Sequence, residues 1–219
     1  MRLHIITTSN TTIVPFNYQQ KLIGTVHNWL GKNELHDKIS LYSFSWLKGS
    51  KIYKNGLTFP KGANWFISFH EDIYIKNLVN QIPEYPNIFC GMKVRKIIIQ
   101  ETPDLSTQNH FQLGSPVFIK RFHDDNHKHF TYKDENSGEL MAETLRHKMQ
   151  IAGLPEDPSL KIEFDLSYPN KKEKLVTIHN ISNKCSMCPL IIHGTPLTKA
   201  FAWNCGIGSL TGSGYGSII

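Results

Sequence analysis

A run of residues suited to holding a phosphate lies at the end of this chain. The stretch GIGSLTGSGYGSII, residues 206–219, carries Gly206, Gly208, Gly212, Gly214 and Gly216, with Tyr215 between the last two. Glycines spaced this closely let the backbone take positive φ and let a phosphate approach N–H groups with no Cβ in the way. Such a loop could cradle a phosphodiester backbone. It is not a Walker loop, because no Gly-Lys-Ser/Thr follows. Nor is it a dinucleotide fingerprint, because no strand-loop-helix unit surrounds it. A flexible C-terminal tail is the alternative reading.

Two other clusters offer metal-ligating side chains. CSMC pairs Cys185 with Cys188, and His179, His193 and Cys205 are nearby in sequence. A structural zinc site usually draws on two close pairs and no second pair is present, so buried thiols and no metal are expected. HDDNHKH, residues 123–129, interleaves Asp, Asn and Lys with His between two strands, the composition of a solvated hairpin turn. Basic residues suited to a polyanion are Lys120, Arg121 and Lys199, with Arg2, Lys161, Lys171, Lys172 and Lys174. Runs such as KKEK are commonly solvated faces, and no base-reading residue is assigned. No RNP-type pattern is present, and the alternating Tyr42, Phe44 and Trp46 are expected half in the core and half at the surface.

The elements that must position these residues follow from periodicity. Residues 1–7 read as a strand, and Leu22, Val26, Trp29 and Leu30 give helical spacing over 18–30. Residues 41–47 and 64–70 alternate as strands, with a hairpin between them turning at Asn55-Gly56. Ile75, Leu78, Val79 and Ile82 predict a helix over 71–82, ended by Pro83 and Pro86, before a strand over 88–100. The second half repeats the plan: strands at 116–122 and 129–133, a helix at 138–151, and strands at 159–166, 174–180 and 189–194. A last helix at 196–206 is opened by Pro196 and closed by Gly206. The expected fold is α+β: two tandem ferredoxin-like (RRM-like) domains, residues 1–112 and 113–219, whose antiparallel sheets are each covered by helices on one face.

Composition bounds the function. The apolar share is 40% and the charged share 19%, which excludes a disordered chain. A net charge of +6, with eleven histidines counted neutral, makes nucleic acid the leading partner class. No window approaches about eighteen consecutive apolar residues, and MRLHIITTSNTT lacks a signal-peptide core, so a cytoplasmic protein with no membrane partner is expected. Four cysteines are too few for a disulfide framework at this length.

Several segments together resemble the CRISPR-associated repeat-processing endoribonucleases, the Cas-six family of the repeat-associated RNA-binding (RAMP) superfamily. That family closes with a helix running into a loop of two G-h-G units, h being apolar; here GIG (206–208) and GYG (214–216) match both. VPFNYQQKLIGTVHNWL (14–30) is similar to the family's Pro-aromatic-Asn entry into its first helix. LHDKISLYSFSWL (35–47) resembles its Leu-His, spacer, F-T-F-S segment, and GSPVFIKR (114–121) the opening of its second domain.

The resemblance implies metal-independent, cofactor-free cleavage of a CRISPR repeat in its precursor transcript, leaving a 2′,3′-cyclic phosphate and a 5′-hydroxyl. Such chemistry needs a group to accept the 2′-hydroxyl proton, one to protonate the leaving 5′-oxygen, and positive charge at the phosphorane. His36 matches the family's catalytic histidine, and His27 stands where many members carry a tyrosine. Members with that tyrosine often have a lysine just before the aromatic strand; Ser40 aligns there, leaving Lys38 or the hydroxyl of Tyr42 to stabilise the phosphorane. The loop from Gly206 to Gly216, with Lys120, Arg121 and Lys199, would hold the RNA backbone. The alternative is a non-cleaving relative that delivers repeat RNA to an interference complex; whether the chain forms a homodimer is left open.

Overall fold

A computed structural model describes residues 1–31, 39–123, 126–178 and 180–219. The first sheet is built from β1 (Arg2–Thr7), α1 (Gln19–Leu30), β2 (Tyr42–Phe44), the hairpin β3 (Lys51–Tyr53) and β4 (Gly56–Thr58), β5 (Asn64–Phe69), α2 (Asp72–Glu84) and β6 (Val94–Gln100). Its strands run antiparallel in the order β2-β5-β1-β6. Strand alternation decides what each face does. Leu3 pairs with Ile67 and Ile5 with Trp65, which puts these four on one face. There Leu22, Val26 and Trp29 of α1 and Ile75, Leu78 and Ile82 of α2 cover them. Trp29 stacks on Trp65 with ring centroids 5.9 Å apart, locking α1 across the sheet.

Three boundaries differ from the sequence expectations for local reasons. Tyr53 pairs with Gly56, so the hairpin turns at Lys54-Asn55, one residue early, with Lys54 taking positive φ. Pro83 sits inside the last turn of α2 rather than stopping it. Cys90 and Gly91 both adopt left-handed backbone, which breaks the strand expected over 88–100 and delays β6 to Val94.

The second half contains β7 (His110–Phe111), the hairpin β8 (Ile119–His123) and β9 (Asn126–Phe130), and α3 (Ser137–Ile151). It continues with β10 (Lys161–Phe164), the hairpin β11 (Lys172–Ile178) and β12 (Ile181–Met187), β13 (Leu190–His193) and α4 (Pro196–Cys205). Its sheet runs β10-β13-β7, and a bridge from Leu113 to Ile218 brings the chain end alongside. Omitting the two hairpins leaves strand, helix, strand, strand, helix and chain end, the ferredoxin order again. Phe111, Met141, Leu145, Ile162, Ile192 and Phe201 form the core beneath α3 and α4. β7 belongs to this second sheet, although it lies before residue 113, where the second domain was expected to begin. Among the described residues no helix is long and apolar enough to cross a membrane.

The opposite face of the first sheet is polar, and this joins the two halves. Arg2, Ser43 and Ser68 sit side by side on it and are all buried. The Arg2 guanidinium donates to Ser68 Oγ (2.7 Å) and to the carbonyls of Trp203 (3.0 Å) and Ile218 (2.8 Å). It lies between the rings of Phe66 and Trp203, 3.7 and 3.4 Å from their centroids. Ser43 Oγ donates to the Asn204 carbonyl at 3.0 Å. Arg2, counted from sequence among the residues suited to RNA, is therefore an internal joint with no face left for a polyanion.

Candidate functional site

α4 starts from a Thr195 cap, whose hydroxyl accepts the Thr198 N–H at 3.2 Å, with Pro196 in the first turn. It delivers the glycine stretch directly into the interior. Ile207 N–H donates to Gly216 O (2.8 Å), Ser209 N–H to Phe118 O (2.7 Å) and Gly216 N–H to Pro116 O (2.8 Å), folding the segment back on itself. Tyr42 Oη donates to Gly212 O at 3.3 Å and Trp46 Nε1 to Gly214 O at 2.9 Å, so the first sheet grips the loop. A Cβ on Gly212 would strike Ser40 Oγ, and one on Gly214 would lie 2.7 Å from the Phe44 ring. Glycine is required here for close approach between the two halves.

This placement alters the expected role of the loop. Gly206, Gly208, Gly212, Gly214, Tyr215 and Gly216 are all buried. The N–H groups of Gly206, Gly214 and Gly216 donate to Ala202, Thr211 and Pro116 carbonyls, so they do not point at a phosphate. Ser209, Leu210 and Ser213 are what the loop presents outward. Leu210 is 43% exposed and held in left-handed backbone with φ 54°.

Beside the loop opens a cleft of about 400 Å³. Ile39 and Ser40 form one wall, Glu143, Thr144, His147 and Lys148 of α3 another, and Arg121 of β8 and residues 208–211 the rest. Lys148 lies buried at its base, donating from Nζ to Thr211 Oγ1 (2.9 Å) and to Cys205 O (3.3 Å). Burial pushes its ammonium pKa down to about 8. Thr211 Oγ1 in turn donates to Ser40 O at 3.5 Å. Arg121 is part-exposed at the rim, with Nη2 donating to the Leu140 carbonyl, to Glu143 (3.2 Å) and to Thr144 Oγ1 (3.0 Å). The arrangement supplies positive charge and an imidazole in a space bounded by the segment that resumes at residue 39.

The sequence candidates divide accordingly. His36 and Lys38 lie outside the described residues. His27 is half-buried in the last turn of α1, and its carbonyl accepts the Gly31 N–H. Tyr42 is buried, stacked on Phe69 at 4.8 Å, and burial pushes its phenol up to about 12; with its proton committed to Gly212 it acts here as an anchor. Lys120 and Arg121 remain part-exposed beside the loop. Lys199, expected at RNA, is buried instead. Its Nζ donates to Ser106 O (2.8 Å), Gln108 O (3.0 Å) and Asn109 Oδ1 (3.2 Å), so an ammonium with three partners pegs α4 to the 106–109 loop.

Cys185 and Cys188 pack in different cores, their thiols donating to Asn183 and Asp165 carbonyls. Burial raises the two thiol pKa values to about 12 and about 11, which keeps them protonated. His179 lies outside the described residues, among which no group of three His, Cys, Asp or Glu is placed to hold a metal.

Lys148 and His147 escaped the sequence reading, yet one signal was present. Met141, Leu145, Lys148 and Met149 fall on one helical stripe, and a lysine at a core position of that stripe marks a buried charge.

Comparison with known proteins gives concordant findings. Residues 100–218 match the family model for the C-terminal part of CRISPR-associated protein Cas6. A CRISPR-associated endoribonuclease Cas6 1 of Methanocaldococcus jannaschii is 26% identical over 239 aligned positions, spanning 100% of this chain and 92% of that protein. A solved Cas6-related protein from Pyrococcus furiosus superposes with a TM-score of 0.83 at 21% identity, over 100% of this chain and 97% of the other. A solved RAMP protein that binds different RNA substrates gives 0.86 at 19% identity, over 100% and 98%. At these identities the two structures speak for the fold, which is the tandem ferredoxin-like one.

Proposed function

The chain belongs to the CRISPR-associated Cas6 family, and from that premise we propose that it is the endoribonuclease that cuts CRISPR repeats out of their precursor transcript. The reaction needs no metal in this reading. One imidazole of the His27–His36 pair takes the 2′-hydroxyl proton as the 2′-oxygen attacks phosphorus. The P–O5′ bond breaks, and the other imidazole protonates the departing 5′-oxygen. The products are a 2′,3′-cyclic phosphate and a 5′-hydroxyl. Lys38 supplies charge to the phosphorane, while Tyr42 is reassigned to holding the glycine loop. The cytoplasm is the compartment proposed for this work, and two domains are proposed, with the boundary moved from residue 112 to ahead of β7, whose His110–Phe111 pairs in the second sheet.

The observation that carries this reading is how the flanks of residues 32–38 are held. His27 sits in the closing turn of α1, and Ser40 is tied through Thr211 to buried Lys148 at the base of a cleft that also holds His147 and the Arg121–Glu143 pair. Positive charge and the His147 imidazole beside Ser40 suit phosphoryl transfer, and His36 precedes Ser40 by four residues in sequence.

The test is incubation of a repeat-containing transcript in EDTA with wild type, His36→Ala and His27→Ala. Cleavage should persist in EDTA, fall by about a thousandfold in His36→Ala and fall less in His27→Ala, in keeping with ~10²–10⁴-fold for a general acid or base. Undiminished cutting by His36→Ala would refute the assignment. Repeat binding without cutting by wild type would favour the delivery role instead.

A further inference from the structure

A second recess, of about 280 Å³, lies on the far side of Leu210 from the cleft, between the β8–β9 and β11–β12 hairpins. We propose that it binds one nucleotide of the substrate RNA, the phosphate against Lys120, His127 and His129 and the base against Ile181 and Leu210. This rests on the reading of the chain as an RNA-processing protein, but it concerns binding and can fail separately.

Four observations support it. The recess is lined by one lysine and two histidines and, among the described residues, by no carboxylate. Ile178, Ile181 and Leu210 give it an apolar side, with Ile181 64% exposed and Leu210 43% exposed, while Asn183 and Ser213 add neutral polar groups. Cationic groups next to an apolar side suit a nucleotide, which is an anion joined to a flat ring.

His129 is fixed in place: its Nδ1 accepts the Lys184 N–H at 3.3 Å and its ring meets Phe118 edge-on at 5.0 Å. An accepting Nδ1 leaves Nε2 as the protonated nitrogen, a donor. Burial, then the charges of His127 and Lys120, lower the His129 pKa. The ring therefore sits in a positive field that an anion would relieve.

Finally, Leu210 lines both this recess and the cleft, and adjacent Lys120 and Arg121 of β8 line one each. A strand of RNA crossing Leu210 would meet Lys120 on one side and, on the other, Arg121 with its Glu143 partner.

The experiment measures the Kd of a repeat-containing transcript against salt concentration at pH 6.5, for wild type, Lys120→Ala, His127→Gln, Leu210→Asn and, as a surface-charge control, Lys76→Ala on α2. Lys120→Ala and His127→Gln should each weaken binding about five- to tenfold, and Lys120→Ala should lower the slope of log K against log salt by about 1, the loss of one phosphate contact. Leu210→Asn, a residue that tolerates left-handed backbone, should weaken binding about threefold to tenfold with the slope unchanged, because a base contact releases no counterion. Lys76→Ala should match wild type. Unaltered Kd and slope in the Lys120 and His127 variants would overturn the subsite even if the protein cuts RNA. An altered slope in a protein that never cuts would retain the subsite and sink the nuclease reading. His127 is exposed, so its variant tests the recess without disturbing the core.

Discussion

Lys148 occupies a position where the spacing of α3 calls for an apolar side chain, and two opposing effects set the consequence of replacing it. Burying an ammonium is unfavourable, and removing a buried charge for a hydrophobic residue is often neutral or stabilising by ~1–4 kcal/mol. Against this, Thr211 Oγ1 and Cys205 O would lose their donor, at ~1–3 kcal/mol each. Lys148→Met should therefore change stability little at pH 7. The balance shifts with pH, because burial lowers the folded pKa from 10.5 to about 8. Between those values the unfolded chain binds the proton and the folded one does not, so stability rises with pH in that window. Wild type should thus gain relative to Lys148→Met between pH 8 and 10.5, read by urea titration at the two ends. Because Lys148 would no longer fix the Thr211 hydroxyl that donates to Ser40, the single-turnover cleavage rate of Lys148→Met should fall about tenfold even where stability is matched. An unchanged rate would show that the tether to Ser40 has no part in catalysis.

At the scale of elements, the glycine loop acts as a wedge between the first sheet and the hairpins. Gly214 has φ 78°, and a side chain there would press into Phe44, a core residue of β2. Gly214→Val combines a β-branched residue in left-handed backbone with overpacking of ~1–3 kcal/mol, so a loss of about 3 kcal/mol is expected by denaturant unfolding. RNA affinity per folded molecule should hold, since the loop does its work by packing; a selective loss of affinity at full stability would return Gly214 to the RNA interface.

The same loop shows what the sequence could and could not say. The paired G-h-G units marked where glycine is obligatory, but glycine is obligatory for close packing as much as for a phosphate, and only the hydrogen bonds of Gly206, Gly214 and Gly216 separate the two. α1 and α2 were legible because each buries one stripe of a 3.6-residue period, and α4, buried almost all round, because Pro196 opens it and Gly206 closes it. β12 was not, because ISNKCSM buries the polar Asn183 and Ser186 and exposes Ile181, which hides the alternation; its strand character comes from pairing with β11. β7 contributes two residues, too few for any period to register. Lys199 misled because an apparently free lysine near a glycine loop looks basic in sequence, while three acceptors from the 106–109 region capture it.

For the molecule as a whole, the first strand, the last helix and the chain end meet at one side chain. Arg2, near the start of the chain, holds the carbonyl of Trp203 in α4 and that of Ile218 beside the chain end. It lies on the polar face of the first sheet, where Ser43 and Ser68 are shielded by the second half. Apart from Phe66 that face buries mainly polar groups, so its cover depends on satisfying them, and a planar five-donor guanidinium stacked between Phe66 and Trp203 does so. Lysine could neither stack nor fork in the same way. Arg2→Lys should consequently behave like Arg2→Ala, each costing about 3–5 kcal/mol, the range for breaking a buried charged network. The cost should fall on the joint between the halves rather than on either core, because Leu3 and Ile5 face α1 and α2 on the other side of the sheet. Scanning calorimetry should then resolve one transition in wild type and two in the Arg2 variants. RNA cleavage should be lost at the first of them, since residues 39–42, which follow His36, belong to one half and Lys148 and Thr211 to the other. A single sharp transition in Arg2→Ala would mean that the glycine wedge alone couples the two sheets.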